Sequence, residues 1–187
     1  GETVSAGPVS VHTVSQAIDV DAGGALDVKC HYLDSAGVRV DGPAVELRTG
    51  DQNVETKVTG NVVTIFPETA GPLHVECISI DGVFVDNTGL DLAVSPALAF
   101  SMVVETEDSD CLLQNVAIPV AVTVYDIYGN VVERPSVDVQ WIPEEGVSGD
   151  LETGYRFAQE GEFDVSIALV GETAPGADLE PYVQTLH

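Results

Sequence analysis

Positive charge is what this sequence has least of. Its 187 residues include six Lys and Arg against 31 Asp and Glu, a formal net charge of -25. That balance excludes nucleic acid as a partner, because neutralising phosphates needs a basic surface. Anionic membranes are disfavoured for the same reason. Long hydrophobic runs are missing too. No apolar stretch approaches the ~18 residues a membrane helix needs, so no direct membrane insertion is expected of this segment. No signal-like n-region and h-region opens the chain, and Gly1 is expected to begin a mature or excerpted fragment. Methionine and tryptophan occur once each, and cysteine three times. No segment shows a helical period longer than a turn or two.

What fills the chain instead is alternation. Hydrophobic residues make up 44%, with valine dominant, and they recur at every second position, the period of a half-buried strand. In ALDVKCHYL (25–33), Leu26, Val28, Cys30 and Tyr32 share one face. VSVHTV (9–14), AVELR (44–48), VETKV (54–58), NVVTIF (61–66), LHVECISI (73–80), VFVD (83–86) and LDLAV (90–94) read the same way. Turn signals such as Gly37, Gly42-Pro43, Thr59-Gly60 and Asp81-Gly82 separate them. AIDV (17–20) continues the first strand after a kink. Beyond Ser95-Pro96 the scheme restarts, with strands expected in 97–105, 116–126, 137–141, 155–158, 162–170 and 180–186.

The second half repeats the first. ALDVKCHYLDSAGVRVDGPAVEL (25–47) aligns without a gap on AIPVAVTVYDIYGNVVERPSVDV (117–139). Ala25/Ala117, Val28/Val120, Asp34/Asp126, Gly37/Gly129, Val40/Val132, Pro43/Pro135 and Val45/Val137 coincide, and GPLHVEC (71–77) matches GEFDVSI (161–167). In this frame Cys30 falls on Val122 and Cys77 on Ile167. A cysteine pair exchanged for an apolar pair marks two facing core positions, so one half reads as stapled by a Cys30–Cys77 disulfide and the other as packed by aliphatics. Two buried thiols acting as small hydrophobes are the alternative. The disulfide implies an oxidising compartment, hence secretion or surface display. An offset of 92 residues, from 25 to 117, is the size of one sandwich, and the expected domains are 1–95 and 96–187.

AVTVYDIYGNVVERPSVDVQW (121–141) resembles the bacterial immunoglobulin-like domains of invasin- and intimin-type surface proteins. Val120, Val122 and Val124 carry the resemblance, with Asp126, Gly129-Asn130, Val132 and Val137. The first half keeps Asp34 and Gly37 but has no Asn after the Gly. The resemblance implies an all-β chain of two tandem immunoglobulin-like β-sandwiches, Greek-key, with about seven strands each. It also implies an extracellular, repeated module. Members of that family act as spacers in stalks, as adhesive tips, or as accessory domains of secreted enzymes, and none of those roles maps onto particular residues here.

Three readings of the acidity remain: a surface adapted to high salt, divalent cation binding, or solubility of an extracellular stalk. Scarce Lys beside abundant Asp, Ala, Val and Thr favours a saline setting. For cations, Glu105, Glu107, Asp108 and Asp110 form a run able to offer oxygen ligands to Ca²⁺, without the ligand order of a calcium loop. Asp19, Asp21 and Gly23 make a partial match at a turn, and Asp86 or Asp91 combined with the 105–110 run is a remoter candidate. Period two turns His31 and His74 away from the core, and if their strands belong to opposite sheets the rings emerge on opposite outer faces and share no metal. None of His12, His31, His74 and His187 pairs with a Ser or Cys nucleophile, and no nucleophile-elbow motif occurs. Trp141 shares a face with Val137 and Val139, and packing on Val122 and Ile167 is its expected role. Contact with a sugar, helped by Tyr125 or Tyr128, is the alternative. Cys111 has no partner in either half: it is expected to bridge to a cysteine outside this sequence or on another chain, with a buried, inert thiol as the alternative. The expectation is a non-catalytic spacer or adhesion module of a secreted or cell-surface protein that meets a protein or glycan. A carbohydrate-binding or accessory module of an extracellular enzyme, or a surface-layer subunit, is the alternative.

Overall fold

The computed structural model describes residues 7–50, 54–106, 114–177 and 179–187. All regular structure in them is β-strand. The chain divides into two compact units, Gly1–Pro96 and Ala97–His187. In the first unit the strands are Ser10–Ser15 (β1), Asp19–Asp21 (β2), Leu26–Leu33 (β3), Arg39–Val40 (β4), Val45–Arg48 (β5), Glu55–Thr59 (β6), Val62–Phe66 (β7), Gly71–Ser79 (β8) and Leu90–Ser95 (β9). The second unit contains Ala99–Thr106 (β10), Val120–Asp126 (β11), Val137–Ile142 (β12), Val147–Asp150 (β13), Gly154–Phe157 (β14), Phe163–Leu169 (β15) and Tyr182–Leu186 (β16).

Each unit is a sandwich. In the first, β1-β3-β7-β6 form one sheet, with β4 on the edge of β3, and β2-β9-β8-β5 form the other. The chain changes sheets between β1 and β2, because β2 runs parallel to β9 instead of extending β1. Residues 83–86 make only a bridge, Ile78 to Val85, and no strand. In the second unit β10-β11 and β13-β14 are joined by the Ile118–Tyr155 bridge, opposite the β12-β15-β16 sheet. Strand β13 has no counterpart in the sequence reading. Its Val147-Ser148-Gly149-Asp150 offers one apolar residue, too few for an alternation signal.

The inward rows are those that the repeat frame pairs. Val28 and Val120, Leu73 and Phe163, Val75 and Val165, and Cys77 and Ile167 are all buried. Cys30 and Cys77 are disulfide-bonded across the first sandwich, with Cα atoms 5.7 Å apart. Val122, the counterpart of Cys30, is only half-buried against its core. The second core is filled differently, by a run of ring contacts through Trp141, Phe157 and Phe163, whose centroids are 5.2 and 4.7 Å apart.

The turn motif recurs atom for atom. Asp34 Oδ1 accepts from the amides of Ala36 and Val38, both at 2.9 Å. Asp126 Oδ1 accepts from Tyr128 and Asn130, at 2.9 and 2.8 Å. The glycines that close these turns, Gly37 and Gly129, have φ of 76° and 85°, a left-handed conformation open to glycine at little cost. Asp126 does more. Its Oδ2 also accepts from the Ala97 amide and from Asn130 Nδ2, both at 2.8 Å, and it is 2% exposed. Burial pushes its pKa up, but the bonds from Asn130, Ala97 and Tyr128 outweigh that and hold the carboxyl below the usual range.

Candidate functional site

The acidic candidates are dispersed. Glu105 is exposed near the end of β10, while Glu107, Asp108, Asp110 and Cys111 lie outside the described residues. Asp19 and Asp21 sit in β2, paired with β9, and not in a loop that could wrap an ion. Asp86 is 7% exposed and its oxygens are taken: Oδ2 accepts from the Thr13 amide at 2.6 Å and Oδ1 from Thr88 at 3.1 Å. Thr13 Oγ1 in turn accepts from the Cys77 amide at 2.9 Å. Asp86 is thus part of a buried polar strut between the two sheets beside the disulfide. Among the described residues no three His, Cys, Asp or Glu are grouped to hold a metal ion.

His31 and His74 project from β3 and β8, which belong to opposite sheets. On the β8 side, His74 Nδ1 lies 2.6 Å from Asp91 Oδ1 and its Nε2 lies 3.5 Å from Glu76 Oε1. Arg48 Nη1 meets Glu76 Oε2 at 3.2 Å. The hydrogen bond to Asp91 raises the His74 pKa against a smaller desolvation effect. This network is exposed and holds no nucleophile. Sequence reasoning gave no histidine a serine partner, yet Ser10 Oγ lies 3.3 Å from His12 Nε2. Both are on one outward row of β1. Among the described residues no carboxylate bonds the His12 ring, so the orienting third member of a hydrolytic triad is missing.

Trp141 is 7% exposed and packs on Tyr155 and Phe157. Only a small part of its ring is left for a sugar to reach. Tyr128 is exposed at the tip of the β11 turn, whereas Tyr125 is half-buried.

A different surface emerges only from the strand register. Leu26–Lys29 of β3 pair with β7, but Tyr32–Leu33 pair with β4 along the same edge. Between these two partners the sheet has a break, closed only by the bond from the Cys30 amide to the Asn61 carbonyl at 2.8 Å. A groove of ≈ 910 Å³ opens there, lined by His31, Arg39, Asp41, Gly42, Gly60 and Asn61 among others. Lys29 and His31 point outward from β3. Arg39 pairs with Leu33 on that same face, which places it diagonal to His31, and His12 stands directly across from His31. Desolvation, then the charges of Arg39 and Lys29, lower the His31 pKa. Lys57 faces outward farther along the sheet, opposite Thr64. Three of the six Lys and Arg of the chain and two of its four His therefore share one sheet face.

No family model matches the sequence, and no curated protein matches it either. Among solved structures, the adhesin FdeC of Escherichia coli aligns over 95% of this chain with a TM-score of 0.56 at 16% identity. The fold is that of bacterial immunoglobulin-like adhesin domains. This chain spans 64% of the FdeC structure. The Yersinia pseudotuberculosis adhesin InvE is similar over 94% of the chain and 58% of its own, at 14% identity and a TM-score of 0.40. A fragment of intimin, solved with the intimin-binding domain of its receptor Tir, is similar over 95% and 64%, at 12% identity and 0.38. At those two scores neither adds to the fold assignment.

Proposed function

We propose that this chain is a non-catalytic segment of an extracellular, cell-surface protein, in which two immunoglobulin-like sandwiches act as spacer and adhesive surface. The observation that carries the reading is the buried Cys30–Cys77 disulfide inside a tandem of self-contained cores. Such a bridge forms and persists in oxidising compartments and is rare in the cytosol. The likeness of both units together to FdeC, itself described as an adhesin, supports the same role. Adhesive sandwiches make contacts through loop tips and sheet faces while the core only positions them. The strands here carry alternating exposed polar residues suited to that.

The test uses the parent protein on intact producing cells. Free thiols are blocked without reduction, protease is added outside, and the released peptides are analysed by mass spectrometry. The peptides holding Cys30 and Cys77 should be released still linked. Peptides that remain protected inside the cell and carry two blocked thiols would overturn the proposal.

A further inference from the structure

We propose that the groove at the break between β4 and β7 binds an anionic saccharide, with Arg39 on its wall receiving the carboxylate and Lys29 adding positive charge beside it. Arg48 is the only Lys or Arg with an ion pair among the described residues. In a chain with 31 carboxylates, three of the remaining cations stand on one sheet face without a carboxylate partner. His31 and Arg39 line the groove, while Lys29 stands beside it, next to His31 on the outward row of β3, and His12 faces His31 across the strands. A guanidinium with free donors suits a carboxylate, which it can hold through two parallel bonds. The acids nearest this face are accounted for. Asp27 accepts from Thr64 Oγ1 at 2.7 Å, Glu55 lies at the far edge in β6, and Asp41 sits on the groove wall itself, where it can accept a hydroxyl.

The lining selects a saccharide over an acidic peptide. Gly42 and Gly60 present backbone, Asn61 an amide and Asp41 a carboxylate, all suited to hydroxyl groups. The one aromatic ring there, Tyr32, is 4% exposed, so the groove lacks the open apolar anchor that peptide recognition uses. The net charge of -25 opposes any anion at long range. At ~0.15 M salt, however, the Debye length is about 8 Å, so a ligand in the groove feels the local groups: Arg39, Lys29 and the two imidazoles, opposed by Asp41 on the wall.

The proposal rests on the extracellular reading only for where such a saccharide is met, and it is tested on the purified chain alone. Binding of tetragalacturonate and sialyllactose is measured by calorimetry at ~0.15 M NaCl, against cellotetraose and lactose as neutral counterparts. Amide shifts are followed in parallel. At least one acidic sugar should bind while its counterpart does not, with shifts centred on Asn61, Gly42 and His31. Arg39→Gln should weaken binding about tenfold, the loss of one charge-assisted pair. Lys29→Gln should weaken it severalfold and Lys57→Gln should not. If Arg39→Gln fails to fold, Lys29→Gln and the shift map decide. Equal binding of neutral sugars, equal binding of polyglutamate, self-association lost in Arg39→Gln, or no binding at all would each overturn the assignment. None of these outcomes touches the disulfide test above.

Discussion

Reducing the Cys30–Cys77 bridge should change the mechanical length of the first unit and leave the second alone. The two cysteines are 47 residues apart in sequence and 5.7 Å apart between Cα atoms. At ~3.6 Å per extended residue, the intact bridge hides about 16 nm of chain from a pull on the two ends. Both cysteines are fully buried, so a reductant reaches them only after the unit has opened. Pulled by atomic force microscopy in dithiothreitol, the chain should give three kinds of extension. Opening of the second unit, residues 97–187, yields a contour of roughly 33 nm before its folded length is subtracted. Opening of the first yields only about 18 nm on the same basis, from the residues outside the loop. A later step of about 16 nm follows as the exposed bridge is cut, and its waiting time shortens as reductant is raised. Without reductant the third step is missing. The same loop closure contributes about 4 kcal/mol in the chain-entropy account. A Cys30→Ala/Cys77→Ala variant should therefore melt roughly 15–30 °C lower in its first transition. Equal extensions from both units, unchanged by dithiothreitol, would mean that no bridge forms in solution, and the extracellular reading would lose its main support.

Asp126→Ala removes four hydrogen bonds from a buried carboxylate and should cost the second unit about 2–4 kcal/mol. Asp34→Ala, with two bonds at a half-exposed turn, should cost the first roughly 0.5–1.5 kcal/mol, and calorimetry showing the reverse order would refute the role given to burial. The carboxyls of Asp86 and Asp126 are held below their ordinary range. Their stabilisation is therefore present above about pH 4 and is lost as pH falls through the folded values. Melting temperature should drop in acid, and Asp126→Asn should flatten that drop for the second transition. His74 has the opposite sign: its raised pKa stabilises below the unfolded value, about 6.5, and that contribution disappears as pH rises through the folded one. The side chain is 44% exposed, so the effect is small and His74→Gln should remove it. With a net charge of -25, both transitions should rise from low salt to molar NaCl as self-repulsion is screened, and a flat response would count against a charge-limited fold.

The core was legible because it is written twice. Leu73 and Phe163, or Val75 and Val165, differ in chemistry yet occupy the same inward positions, and period two fixes which face they take. The aligned aspartates and glycines were legible for the same reason, since a side-chain oxygen bonding two amides ahead is local chemistry. Where the copies diverge, the frame gave position without packing. Val122 takes the place of Cys30 but stays half-buried, packed against a core that the rings of Trp141, Tyr155 and Phe157 help to fill. Those ring contacts join β12 to β14, and no local pattern in either strand announces them.

The outer faces were less legible, for a physical reason. Alternation states that His12, Lys29, His31 and Arg39 all point away from the core, but not which of them are neighbours. That depends on cross-strand register, which hydrophobic pattern and turn geometry set jointly. His12 and His31 are 19 positions apart and end up directly opposed. Arg39 joins them because β4, two residues long, takes over the edge of β3 where β7 leaves it. Read as a list, six Lys and Arg scattered among 31 acids suggest only a cation-poor surface. Placed by register, three of them fall on one face of one sheet, so the mean charge of the chain describes no particular surface of it. A protein this acidic can offer an anion a receptive site only if its few cations are gathered and left unpaired. Lys29 and Arg39 meet both conditions.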